Sequence, residues 1–204
     1  MAPSMVLREQ RHGGQFVVAV VGRFNGRKGH LDVLHAFQIA SKGSKNWQLI
    51  LAGSPYGDDD SAVQEVIKHS ATDDRVRIVG EVRGAAALRP VPDVYACFGD
   101  REEAFGLVPL EAWSVGARSA AFAEGGATEV LPVVDGILVA RGSNVVGDIA
   151  QALEEMEAER STWLPPTEAA VHLVFGRESR RRAVEKILRA TRPQEGSTDA
   201  TSAR

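Results

Sequence analysis

The sequence predicts an α/β protein built on a doubly wound parallel sheet in a single domain, with helices at the C-terminal end. Three observations carry that prediction. Short apolar runs such as Phe16–Val21, Trp47–Ala52 and Val94–Phe98 lack polar alternation, as strands buried on both faces do. Stretches with helical spacing separate these runs. The first three runs stop at a glycine: Gly22, Gly53 and Gly80.

In chain order, residues 1–14 read as a flexible leader. The first strand is Gln15–Val21, followed by the loop Gly22-Arg23-Phe24-Asn25-Gly26-Arg27-Lys28-Gly29. Leu31, Leu34, Ala36, Phe37 and Ala40 then form the apolar stripe of a helix. Trp47–Ala52 is the second strand, and Val63, Val66 and Ile67 mark the inward face of the next helix. Val76–Val79 is the third strand. Pro90 and Pro92 confine the following segment to a short helical turn. Val94–Phe98 is the fourth strand, and a helix through Glu111 ends at Gly116. Ala117–Ala123 and Gly136–Val139 supply two more strands, with a short helix over Glu129, Val130 and Leu131 between them. Helices over Val145–Glu159 and Glu168–Ala190 are separated by Pro165-Pro166, and residues 191–204 read as a disordered tail. The working domain is therefore 15–190. Strand order does not follow from this pattern.

Composition excludes several classes. At 204 residues with 44% hydrophobic content the chain can bury a core. A net charge of −3 gives no reason to expect nucleic acid as a partner. The lone Cys97 rules out an internal disulfide and a multi-cysteine zinc site, and its apolar run predicts a buried thiol. No apolar stretch approaches the ~20 residues that span a bilayer, and the N-terminus lacks a secretory core, so a cytoplasmic location is expected.

In a sheet of this kind each loop leaving a strand for a helix emerges at one rim, where ligands bind. Three unusual loops fall there: Gly22–Gly29, Gly99–Gly106 and Glu124–Thr128. The first sets Arg23 and Lys28 among glycines, a pattern that suits a diphosphate, because glycine permits close backbone approach and the cations offset charge. The second offers Glu103 and the backbone N–H groups of a helix start. Glu111, on that helix, has two acceptor oxygens and can take two ribose hydroxyls. The third offers Gly125-Gly126 beside another helix start.

Glu103 and Glu111 stand with seven residues between them and Phe105-Gly106 inside the interval. This pattern resembles the signature of retaining glycosyltransferases of the GT-B fold, family-4 type. VGRFNGRKGHLDVLHAF is similar to the family's pyrophosphate-binding stretch, and GGATEV at 125–130 to its Gly-Gly-x-x-Glu-Val. The resemblance covers roughly residues 16–190 and implies half of a GT-B fold, the Rossmann-like donor-binding domain. It implies a nucleotide sugar, UDP-, GDP- or ADP-linked, as substrate, and no cofactor. Carried over, Arg23 and Lys28 meet the donor pyrophosphate, Glu103 the transferred sugar and Glu111 the ribose. Phe105, Gly106 and Leu107 supply backbone contacts, and Gly22, Gly125 and Gly126 let the backbone approach the ligand. Because family members place the acceptor site in a preceding domain, the resemblance implies a natural half that pairs with a separate acceptor-binding domain or subunit, a truncated gene product, or a repurposed binding module.

Departures from the family pattern are local. The Pro-Ser pair expected before the first glutamate is replaced by Phe98-Gly99-Asp100, and Gly-x-Pro after the second by Gly116-Ala117-Arg118. The stretch Asp135–Val139 is shortened. Other readings stand beside the enzymatic one. Arg23 and Lys28 also suit a solvated loop, Glu103 a surface carboxylate, and Gly125-Gly126 a tight turn. Glu111 sits among apolar neighbours, where a charge calls for a partner. Asp58-Asp59-Asp60 reads as a helix cap rather than a magnesium site. The histidines show no ligand spacing. The basic run Arg177–Arg192 reads as a solvated face, with an anionic lipid or acidic partner as the alternative. For the chain as a whole, the alternative is a catalytically inactive binding or scaffolding module.

Overall fold

The computed structural model describes residues 14–24, 27–54, 61–88, 91–100 and 106–190. Residues 1–13 of the leader, the tail, Asp58–Asp60, Glu103 and Phe105 lie outside the described residues. The chain divides into two compact units, 1–166 and 167–204.

Six parallel strands form the sheet of the first unit: β1 (Phe16–Val21), β2 (Trp47–Ala52), β3 (Val76–Val79), β4 (Val94–Cys97), β5 (Arg118–Phe122) and β6 (Ile137–Val139). Their spatial order is β3-β2-β1-β4-β5-β6. Chain direction across the sheet reverses between β1 and β4, where Val18 pairs with Val94 and Ala19 with Tyr95. The doubly wound parallel fold expected from the sequence is the fold observed.

The β1 run lacks polar alternation because both of its faces are packed. Phe16, Val18 and Val20 point into a cluster with Val33, Leu34 and Phe37 of α1 (His30–Ser41) and Leu153 of α5 (Val145–Ala158). Val17 and Ala19 point the opposite way, into a cluster with Ile50, Tyr95 and Ala112. Ala112 belongs to α3 (Val108–Ser114), so helices cover both faces. The remaining elements of this unit are α2 (Ser61–Ser70), a 3₁₀ turn (Ala85–Ala87) and α4 (Ala127–Val130).

The rim opposite the strand ends is closed by a polar strap. Asp93 is buried; its Oδ2 accepts from the Val17 N–H at 2.9 Å and its Oδ1 from Arg160 Nε at 3.0 Å. The same guanidinium donates to the carbonyls of Gly14 and Gln15, at 2.8 and 2.7 Å. This ties the end of α5 to the entry of β1.

The second unit corrects one expectation. Glu168–Ala190 reads as a continuous helix, but it is broken into α6 (Glu168–Phe175) and α7 (Arg177–Ala190). Gly176 is extended, with φ −66° and ψ 165°. Its N–H closes α6 on the His172 carbonyl at 2.8 Å, and its own carbonyl accepts from Arg180. Glycine costs about 1 kcal/mol in a helix interior, which makes it the natural breakpoint. No helix among the described residues is long and apolar enough to cross a membrane.

Candidate functional site: a cleft at the strand-order reversal

The loops after β1 and β4 meet at close quarters. Gly29, at the N-cap of α1, has φ +69°, and a Cβ there would stand 1.9 Å from the Phe98 carbonyl oxygen. The Asp100 N–H donates to the Arg27 carbonyl at 3.1 Å. A side chain at Gly29 would push these loops apart, so glycine sets their spacing.

Above this junction lies a cleft lined by Lys28, Cys97, Gly99, Gly106, Val108, Pro109, Glu124 and Arg141, among others. Of the residues singled out in the sequence, it brings together Lys28 and Gly106. Gly22 lies beneath the Lys28 stem: a Cβ there would come within 2.8 Å of Lys28 Cγ. Arg23 is exposed on the same loop and is not among the cleft-lining residues. Leu107 is exposed at the N-cap of α3. Gly125 is exposed, with φ +51°, and Gly126 is buried at the N-cap of α4, one residue before the cleft-lining Ala127.

Glu111 has a partner that sequence spacing could not supply. From the first turn of α3 its Oε2 accepts the Ala85 N–H at 2.5 Å, at the start of the 3₁₀ turn after β3. The Tyr95 hydroxyl donates to the Ala85 carbonyl at 2.6 Å, so the turn is held from both sides. Gly84 makes room for this contact, since a Cβ there would lie 3.1 Å from Oε2. The half-buried carboxylate is thus oriented through Oε2, and it keeps acceptor capacity on Oε1.

The cleft floor and flank are desolvated. Burial pushes the Cys97 thiol up to about 12, against a smaller opposing pull from Lys28. It is therefore a neutral thiol, half-buried rather than fully buried as its apolar run predicted. Beside the junction, His30 is 3% exposed and stacks on Phe24 at 4.2 Å. Burial chiefly, and Lys28 secondarily, lowers its pKa to about 4. The Gly22 backbone opposes this shift, and neither ring nitrogen makes a full hydrogen bond among the described residues.

Two cleft residues escaped the sequence reading. Arg141 follows β6 and Glu124 follows β5, and they form a two-point ion pair at 2.8 and 3.0 Å. The Arg141 hydrogen bonds hold the Glu124 carboxyl below the usual carboxylate range. Their signal was positional: both lie in loops leaving a strand's C-terminal end, at the rim already singled out.

Residues 15–159 match the family described as glycosyl transferases group 1. The chain belongs to this family. A stretch of 97 residues is 30% identical to the GDP-mannose:cellobiosyl-diphosphopolyprenol alpha-mannosyltransferase of Xanthomonas oryzae pv. oryzae (strain PXO99A), covering 47% of this chain and 25% of that protein. Among solved structures, HepE of Anabaena in complex with UDP and glucose aligns with a TM-score of 0.68 at 22% identity, over 93% of this chain and 53% of that one. A glycosyltransferase of Rickettsia africae ESF-5 aligns with a TM-score of 0.68 at 19% identity, over 93% and 52%. At these identities the structural likeness is one of fold. The group 1 chain described here spans about half the length of these structures.

Proposed function

We propose that this chain binds a nucleoside-diphosphate sugar in the cleft at the reversal of strand order, as the donor-binding domain of a retaining glycosyltransferase. The observation that carries this reading is the convergence of Lys28, the Gly106 backbone and the glycine-set junction of the β1 and β4 loops on one cleft. Membership of the group 1 family supports it. So does the fold shared with HepE, a protein whose structure holds UDP and glucose.

In this account Lys28, with Arg23 from the same loop, meets the diphosphate and stabilises the charge that develops as it leaves. Glu111, oriented by Ala85, accepts from the ribose hydroxyls. Glu103 meets the transferred sugar, and the Phe105-Gly106-Leu107 backbone contacts sugar and phosphate. Gly22, Gly125 and Gly126 keep their backbones open to close approach. A separate domain or polypeptide positions the acceptor, and its placement of the nucleophile supplies the rest of the rate enhancement. The donor nucleotide is uridine, guanosine or adenosine diphosphate.

The roles separate experimentally. Glu111→Ala weakens binding of the free nucleoside diphosphate, whereas Glu103→Ala weakens only the sugar conjugate. Each loss is expected at about tenfold or more, the scale of a hydrogen bond to a charged group. Equal effects of both variants on both ligands would contradict the assignment. A folded chain that binds no nucleotide sugar would favour a scaffolding role.

A further inference from the structure

Arg141 holds together the three loops that flank the cleft on its β4–β6 side. Its Nε and Nη2 donate to the two oxygens of Glu124, and Nη2 also donates to the Gly99 carbonyl at 2.8 Å. The guanidinium carbon sits 3.8 Å from the centroid of the Phe122 ring. Loops after β4, β5 and β6 are thereby joined through one side chain, and the Glu124 carboxylate is fixed at the cleft wall.

A carboxylate has about four acceptor positions. Arg141 occupies one on each oxygen of Glu124, so both oxygens keep capacity for a further donor. Charge also decides what can bind there. A bare carboxylate in the cleft would repel a diphosphate held by Lys28. Paired with Arg141, it presents acceptor oxygens without adding net negative charge. The ligand chemistry that uses free acceptors on a neutralised carboxylate is a hydroxyl-rich, uncharged group.

We propose that Glu124, held and neutralised by Arg141, is a binding residue for hydroxyl groups of the sugar carried by the nucleotide, with Arg141 as its positioning residue. This rests on the reading of the cleft as a nucleotide-sugar site.

The test is calorimetry on the full chain with UDP, GDP and ADP, and with UDP-glucose, GDP-mannose and ADP-glucose. The wild type is compared with Glu124→Gln, Arg141→Ala and the double variant. For whichever nucleotide binds, Glu124→Gln should lower affinity for the sugar conjugate about tenfold or more beyond its effect on the free diphosphate. Arg141→Ala should weaken the free diphosphate by unmasking the Glu124 charge. Adding Glu124→Gln should restore that affinity to within about threefold. A pair that only braces the loops would instead lower both ligands alike, with the double variant no better than Arg141→Ala, and that result overturns the proposal. If Arg141→Ala does not fold, the ligand ratio in the isosteric Glu124→Gln decides. A folded wild type that binds none of the six ligands overturns the donor-site reading and this inference with it. Binding with an unchanged ratio in Glu124→Gln overturns this inference alone.

Discussion

Gly29 and Phe98 touch where a side chain cannot fit: a Cβ on Gly29 would lie 1.9 Å from the Phe98 carbonyl oxygen. One residue thus fixes the distance between the loop that carries Lys28 and the loop that leads to Gly106. Gly29 also has φ +69°, in the left-handed region. Gly29→Ala combines a backbone clash with that strain and should cost about 3 kcal/mol. Urea denaturation measures the loss as a lower midpoint at constant slope. An unchanged midpoint would mean that the junction is loose.

Glu111 is predicted to carry two separable contributions. Its Oε2 bond to Ala85 is structural, and a neutral amide oxygen can replace it. Glu111→Gln should therefore keep stability within about 0.5 kcal/mol, while Glu111→Ala loses about 1 kcal/mol. Denaturation midpoints of the two variants check this, and equal losses would contradict it.

His30 makes stability depend on pH. Burial lowers its pKa from the ordinary 6.5 to about 4, so the unfolded chain binds the proton more tightly than the folded one. The stability this group contributes is full above pH 6.5 and is lost as pH falls towards 4. The loss is on the order of 3 kcal/mol. His30→Phe should remove that component, read as a flatter curve of unfolding free energy between pH 7 and 4. A curve unchanged by the substitution would place the titrating group elsewhere.

The strap at the opposite rim should matter for folding and not for ligand. Arg160→Ala leaves the buried Asp93 without its cation and frees the carbonyls of Gly14 and Gln15. The expected cost is about 2–3 kcal/mol in thermal or urea unfolding. Unaltered stability would show that solvent replaces the guanidinium at no cost.

Much of this architecture was legible in the sequence, for identifiable reasons. Strands buried on both faces leave unbroken apolar runs, so Phe16–Val21 and Trp47–Ala52 read directly. The order that puts β4 beside β1 did not, because such runs carry no pairing code. Glu111 declared a need for a partner, but Ala85 lies 26 residues away across a crossover. Arg141 and Glu124 are 17 residues apart, each unremarkable alone, and meet only because β5 and β6 pair in parallel. Gly176 was hidden inside a stretch whose flanking residues all suit a helix. The order of apolar runs and loops marks the rim, whereas side-chain partners across it exist only in the fold.

If the cleft holds a nucleoside diphosphate against Lys28, binding depends on that lysine and on the second phosphate. Isothermal titration of the purified chain with UDP, GDP and ADP, repeated with the monophosphates and with Lys28→Ala, tests it most directly. Saturable binding of one diphosphate is expected, weakened about tenfold or more by Lys28→Ala, with a smaller loss for the monophosphate. A folded chain that binds none of them, or binds equally well without the lysine, would contradict it.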